Sequence, residues 1–196
     1  MSVQAVVLAA GRGRRMGGPK HLLPVEGRPM LARVVDALRA SHAEGVVAVL
    51  RPGDDAGAAL LAEMGVEVAF AEPADEGRAA SVRAGVRAAP PDRDLLFALA
   101  DQPFLRAEDF DALIRLRAGG AGASIVHALY AGERGSPVLF AAAYRDELLA
   151  LRGAQGGRAV IAAHPGAAVG VDLDPECGRD LDSPADLDSA ASRSGR

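Results

Sequence analysis

The chain has 196 residues, of which 49% are hydrophobic and 24% are charged, and its formal net charge is −4. This length is enough for one domain with a substantial core, and the composition is that of a folded globular protein. The negative charge argues against nucleic acid as a partner, because the basic residues are concentrated in one short stretch and form no long stripe.

Cys177 is the only cysteine in the sequence. A single cysteine can form neither an internal disulfide nor a zinc site that needs two cysteines, so a reducing compartment is expected. The first apolar run is too short for a signal peptide, and no run approaches the length of a membrane helix. We therefore expect a cytoplasmic protein that binds no membrane.

Short apolar runs alternate with amphipathic stretches, which predicts a mostly parallel sheet with crossover helices. In chain order the pattern predicts a strand at 5–10, a helix at 29–40, a strand at 46–50, a helix at 56–64, a strand at 66–70, a helix at 78–88, a strand at 95–100 and a helix at 107–117. The second half is less regular, with strands predicted at 123–128, 136–140 and 168–172 and short helices at 144–151 and 158–164.

The C-terminal residues 189–196 are Ser, Ala, Arg and Gly without an apolar period. Such a segment has nothing to bury against the core and is expected to fray. We therefore expect one domain over residues 1–188 and a flexible tail over 189–196.

Residues 8–24 contain four glycines and four cationic side chains, directly behind the first predicted strand. Glycines let backbone amides approach a ligand closely, and cations beside them suggest a phosphate chain. The spacing fits neither G-x-G-x-x-G, because Met16 stands at the third glycine position, nor a Walker loop, because His21 follows Lys20. In an open parallel sheet the ligand crevice lies beyond the carboxyl ends of the strands, so this loop and Asp101 should face one cleft.

The loop instead fits the pattern L-A-A-G-x-x-x-R-M-G-x-x-K-x-L-L-P, and the chain thereby resembles the MobA-like nucleotidyltransferases. The similarity is closest to their MocA branch, the molybdenum cofactor cytidylyltransferases. Further matches, over nearly the whole chain, are Gly77, Ser81, Gly85, residues 101–103, Gly135, residues 137–140, Gly157, Arg158 and residues 180–187. The resemblance implies a three-layer α/β/α sandwich with a mostly parallel, Rossmann-like sheet of the nucleotide-diphospho-sugar transferase type.

The resemblance also implies roles for individual residues. It makes Arg15, Lys20 and Asp101 catalytic, and it assigns Mg²⁺ to Asp101 and Asp182, with Asp180 as the alternative to Asp182. The nucleotide would be bound by Leu8, Ala9, Ala10, Gly11, Arg15, Lys20, Gly77 and Ser81. This chemistry is consistent, because nucleotidyl transfer brings two anions together and magnesium prefers carboxylate and phosphate oxygens as ligands.

The implied activity is transfer of CMP from CTP to a phosphorylated acceptor, molybdopterin in the first place, with release of pyrophosphate. Ala10 favours CTP, because relatives that use GTP tend to carry a second glycine there, and a molybdenum hydroxylase would be a protein partner. Two alternatives stay open: transfer to a sugar phosphate or another acceptor, and an NAD(P)H-dependent reductase of the nicotine blue type with Arg51 meeting a 2′-phosphate. A third, an inactive binding protein, is disfavoured by the joint presence of Arg15, Lys20, Asp101 and Asp182.

Each of these signals also has a structural interpretation. A loop rich in glycine and arginine can be a solvated surface loop, and Asp101 can be the cap of the helix predicted at 107–117. Asp182 can turn the chain ahead of Pro184, because Asx residues near proline are common in loops.

Overall fold

The computed structural model describes residues 1–11, 18–72, 77–120, 122–181 and 186. In these ranges the strands are β1 (Val3–Leu8), β2 (Pro24–Val25), β3 (Arg28–Pro29), β4 (Gly45–Leu50), β5 (Glu67–Phe70), β6 (Asp94–Leu99), β7 (Ile125–Tyr130), β8 (Glu133–Phe140) and β9 (Ala168–Asp172). The helices are α1 (Met30–Ala40), α2 (Asp55–Glu63), α3 (Arg78–Ala88), α4 (Ala107–Ala118), α5 (Arg145–Ala150) and α6 (Gly157–Ala163). Turns of 3₁₀ helix cover Lys20–Leu22, Ala142–Tyr144 and Pro165–Ala167.

The described part of the chain forms a seven-stranded sheet in the order β5-β4-β1-β6-β8-β7-β9. Strands β5, β4, β1 and β6 are parallel to one another, whereas β8 runs antiparallel to both β6 and β7. At the carboxyl end of the parallel strands, Leu8 of β1 lies beside Val49 of β4 and Leu99 of β6. The segments that follow these three strands therefore leave the sheet at one edge.

Helices cover both faces of the sheet, and each face has its own core. Side chains of α1, α2 and α4 pack with Val3, Ala5 and Val7 of β1 on one face. Side chains of α3, α5 and α6 pack with Val6 of β1 on the other face. This alternation follows from the period of two in a strand, and because both faces are buried the strands are nearly all apolar.

The predicted three-layer α/β/α fold with a mostly parallel sheet is confirmed, and each predicted helix and strand has a counterpart in the structure. Two features were not predicted. One is the small antiparallel pair of β2 and β3, and the other is the extension of β8 back to Glu133, where it forms a hairpin with β7.

The end of the domain and the tail predicted at 189–196 lie outside the described residues, so the boundary at residue 188 stays a prediction. No helix in the described ranges is both long enough and apolar enough to cross a membrane.

Candidate active site

A cleft of about 1440 Å³ opens at the edge of the sheet where β1, β4 and β6 end. Leu8, Ala9, Ala10 and Gly11 line it directly behind β1. The ladder continues past the strand ends, because Ala9 N–H donates to Val49 O at 2.9 Å and Ala100 N–H donates to Leu8 O at 3.2 Å. The start of the glycine-rich loop is thereby fixed against the neighbouring strands.

The described residues contain no group of three or more His, Cys, Asp or Glu that could hold a metal ion.

Lys20 and Asp101 meet in this cleft. Lys20 lies in the 3₁₀ turn, Asp101 lies just beyond β6, and Lys20 Nζ donates to Asp101 Oδ2 at 2.7 Å. The Lys20 side chain is 14% exposed and the Asp101 side chain 30% exposed, so a ligand in the cleft can still reach the carboxylate. The sequence predicted both residues for one cleft and did not predict that they form an ion pair.

Asp101 does not cap the following helix. Helix α4 begins at Ala107 after Arg106, and the carboxylate at its start is Asp109, whose Oδ2 accepts from Arg106 N–H at 2.8 Å. The interpretation of Asp101 as a helix cap is therefore wrong, because a carboxylate in the first turn of α4 already takes that hydrogen bond. The Asp101 side chain instead faces the cleft, where it contacts Lys20.

The C-terminal segment lies against Asp101. Leu181 N–H donates to Asp101 O at 3.2 Å, and Gln102 Nε2 donates to Gly178 O at 2.9 Å. Asp180 lines the same cleft as Asp101. These two hydrogen bonds hold residues 178–181, which include Asp180, beside Asp101. Asp182 lies outside the described residues.

Gly77 and Ser81 line the cleft from the start of α3. Gly77 has φ +154°, and a Cβ there would lie 2.1 Å from Gly153 O. Ala79 N–H also donates to Gly153 O at 3.2 Å, so the start of α3 is in direct backbone contact with the loop at Gly153. Only glycine fits this close approach at position 77. The remaining predicted site residue, Arg15, lies outside the described residues with the rest of 12–17.

Sequence reasoning missed a buried pair beside Lys20. His21 Nε2 lies 2.9 Å from Asp54 Oδ2, at an angle that does not make an aligned hydrogen bond, and both side chains are almost fully buried. Asp54 Oδ1 also accepts from Gly57 N–H at 3.1 Å and so caps α2. Burial lowers the pKa of His21, against the opposing effect of the Asp54 carboxylate, and nearby Arg51 lowers it further. His21 and Asp54 thus join the turn that carries Lys20 to the start of α2, a contact that no local sequence pattern reveals.

Besides Arg51, which follows β4, three arginines line the cleft: Arg78 on α3, Arg134 on β8 and Arg158 on α6. All three are exposed, and within the described ranges none of them has a carboxylate partner. Arg158 had been noted only as a motif match, and Arg134 was not singled out by the sequence, because an arginine in a strand gives no signal of its own.

The model of the MobA-like NTP transferase domain matches residues 5–169. The chain belongs to this family. The residues that match include the segments behind β1 and β6 that meet in the cleft.

Two curated relatives and one solved structure illustrate the similarity. The chain is 41% identical over 133 residues to bifunctional protein GlmU of Leifsonia xyli, covering 63% of this chain and 26% of that one. It is 36% identical over 131 residues to 2-C-methyl-D-erythritol 4-phosphate cytidylyltransferase of Streptomyces avermitilis, covering 62% of this chain and 52% of that one. Rv0371c from Mycobacterium tuberculosis superposes with a TM-score of 0.85 at 26% identity and covers 98% of both chains. The chain thus spans about a quarter to a half of the length of these curated relatives, and nearly all of the solved structure.

Proposed function

We propose that this protein is a metal-dependent nucleotidyltransferase that moves a nucleotidyl group from a nucleoside triphosphate to a phosphorylated acceptor and releases pyrophosphate. The observation that carries the proposal is the meeting of Lys20 and Asp101 in one cleft, beside the segment behind β1. Such a reaction needs cations for the triphosphate and a carboxylate for a metal within reach of each other.

The residues of the cleft fit a magnesium ion. Asp101 offers a partly exposed carboxylate whose Oδ2 accepts from Lys20, which leaves Oδ1 for another ligand. Asp180 lines the same cleft. Asp182 is the next residue after Leu181, whose N–H donates a hydrogen bond to Asp101 O. One or two carboxylates plus phosphate oxygens are the usual protein ligands of Mg²⁺. A manganese complex of the Mycobacterium tuberculosis neighbour has been solved, at 24% identity to this chain, which is consistent with a divalent metal in this fold.

When bound, the metal would neutralise charge on the triphosphate and on the departing pyrophosphate. The other roles fall to this chain's own residues. Lys20 and Arg15 bind phosphate oxygens, and the backbone from Leu8 to Gly11 holds the triphosphate close to the end of β1. Gly77 and Ser81 line the side of the cleft that takes the base and ribose.

CTP is the nucleotide and molybdopterin the acceptor that the resemblance to the MocA branch favours. Ala10 stands where the resemblance associates alanine with CTP, and the name of the Streptomyces avermitilis relative describes a cytidylyltransferase. That same name describes an acceptor that is the 4-phosphate of a small polyol, so transfer to a sugar or polyol phosphate is the second candidate. A molybdenum hydroxylase would then receive the finished cofactor, and the cytoplasmic location expected from the lone cysteine stays a prediction.

A binding screen tests the proposal. Calorimetry of the purified protein with CTP, GTP, UTP, ATP and NADPH, with and without magnesium, should show binding of CTP that depends on magnesium. With molybdopterin or a polyol phosphate as the acceptor, CTP should then release pyrophosphate without oxidation of NADPH. Steady consumption of NADPH in EDTA, with no binding of CTP or GTP, would overturn the proposal in favour of the reductase.

A further inference from the structure

The cleft extends across the sheet edge to elements of the other face. Lys20 and His21 lie beside α1 and α2, whose side chains pack in the first core. Arg158 belongs to α6, whose side chains pack in the second core, and Arg134 belongs to β8, which lies on the far side of β6. The two ends of one cleft therefore carry separate cationic groups.

Arg134 and Arg158 are held next to each other at the second end. Arg158 Nη2 donates to Arg134 O at 3.3 Å, which brings the start of α6 against β8. Gly157 allows this approach, because a Cβ there would lie 2.9 Å from the ring of Phe140. Arg78 lies near the start of α6, with its Cδ 3.7 Å from where a Cβ on Gly156 would lie.

Within the described residues these two guanidiniums form no ion pair, although Arg158 donates to the backbone of Arg134. Elsewhere Arg28, Arg33 and Arg117 each have a carboxylate oxygen at 3.0 Å or less. Arg134 and Arg158 have none in the described part of the chain, and both are exposed to the cleft. Two carboxylates, Glu133 and Asp180, also line the cleft near this hairpin, against the three guanidiniums of Arg78, Arg134 and Arg158, so positive charge predominates. Exposed guanidiniums that line one cleft suit a carboxylate, sulfonate or phosphate.

The floor between the two ends is apolar. Phe97 and Val138 come from neighbouring strands and Ile161 from α6, and all three line the cleft while being largely buried. Phe97 and Phe140 are in edge contact with ring centroids 6.0 Å apart. A ligand that bridges the two ends therefore passes over a surface that favours a flat or apolar body.

We propose that Arg134 and Arg158 bind a second anionic group of the acceptor, separate from the phosphate that attacks the nucleotide. The acceptor class is then a molecule with a phosphate at one end, an anionic group at the other and a flat or weakly polar body between them. This proposal rests on the proposed function, because only the transfer reaction requires an acceptor phosphate near Lys20 and Asp101.

The test uses two probes that differ in one charge, phenyl phosphate and 4-carboxyphenyl phosphate. Each is titrated into the protein already saturated with magnesium and α,β-methylene CTP. This analogue has a methylene group in place of the oxygen between the α and β phosphorus atoms, so pyrophosphate cannot leave and no transfer occurs. The wild type should bind the carboxylated probe roughly tenfold more tightly, as a charge-assisted bond to arginine provides. In Arg134→Ala and Arg158→Ala this advantage should fall to about threefold or less. Arg115→Ala removes another exposed arginine, on α4 and outside the cleft, and should keep the full advantage.

The outcomes separate this inference from the proposed function. If the wild type binds neither α,β-methylene CTP nor the corresponding GTP analogue, the nucleotidyltransferase function fails and the acceptor site fails with it; if it binds only the GTP analogue, the two probes are titrated with that analogue. If the CTP analogue binds normally but the two probes bind equally, or the advantage survives in both arginine variants, only the acceptor site is overturned. A loss of analogue affinity in Arg134→Ala or Arg158→Ala would assign the guanidiniums to the triphosphate instead, which also overturns it.

Discussion

Asp54→Ala removes two buried contacts at once and should destabilise the protein strongly. The Asp54 carboxylate caps α2 through Gly57 N–H at 3.1 Å, and loss of such a cap costs about 1 kcal/mol. It is also the carboxylate 2.9 Å from the buried His21 Nε2, and removing this nearest polar neighbour from a buried polar nitrogen costs about 1–3 kcal/mol. The free energy of unfolding should therefore fall by about 2–4 kcal/mol, which lowers the Tm by about 4–16 °C for a chain of this size.

Urea denaturation followed by circular dichroism measures this change, with two variants as controls. Asp55→Ala removes the neighbouring carboxylate, which is exposed in the first turn of α2, and should cost no more than about 1 kcal/mol. Asp54→Asn keeps an oxygen that accepts from Gly57 N–H and should recover the capping part of the loss. If Asp54→Ala unfolds within about 0.5 kcal/mol of Asp55→Ala, the buried pair does not stabilise the fold as argued.

The other predictions concern the site and the residues that frame it. Lys20→Ala should lower kcat roughly a hundredfold in a pyrophosphate-release assay and leave the far-UV circular dichroism spectrum unchanged. The reason is that one positioned cation lowers the activation barrier by about 3 kcal/mol. Near-normal turnover would refute the binding of phosphate by Lys20. Asp101→Asn should abolish the magnesium-dependent turnover, because an amide offers a neutral oxygen in place of a carboxylate; full activity at ordinary magnesium would reject it as a metal ligand. Gly77→Ala should lower the free energy of unfolding by at least about 2 kcal/mol, because its Cβ meets a backbone carbonyl in a conformation that L residues avoid, and Gly53→Ala, with φ +82° but open space, should lose less. Because burial lowers the pKa of folded His21, the unfolded chain binds more protons than the folded one below about pH 6.5. The free energy of unfolding should therefore decrease as the pH is lowered below about 6.5, and it should decrease less in His21→Gln. Parallel curves of stability against pH for the two proteins would contradict this.

The sequence predicted the parallel half of the fold well because its signals are local. The runs that form β1, β4 and β6 bury apolar side chains on both faces, and α1 places Leu31, Val34 and Leu38 on one buried stripe. The pair of β2 and β3 escaped because strands of two residues have no period to detect. The antiparallel direction of β8 depends on its partners β6 and β7, and an apolar run carries no information about direction.

The site could be predicted as far as its residues follow recognisable strand ends and motifs. Lys20 and Asp101 were placed in one cleft because parallel strands end at one edge of the sheet. Their ion pair could not be predicted, because it depends on where the 3₁₀ turn at Lys20 lies relative to the segment after β6. The contact between His21 and Asp54 was missed for a similar reason, since neither residue belongs to a motif and only the packed structure brings them together.

The most direct test of the account is a crystal structure of the protein with α,β-methylene CTP and manganese, in which anomalous scattering locates the metal. The account predicts the triphosphate at the carboxyl end of β1 within reach of Lys20, and one metal peak at about 2.1 Å from an Asp101 oxygen and from phosphate oxygens. A nucleotide bound outside this cleft, or a metal bound to the triphosphate without Asp101, would contradict the central claim.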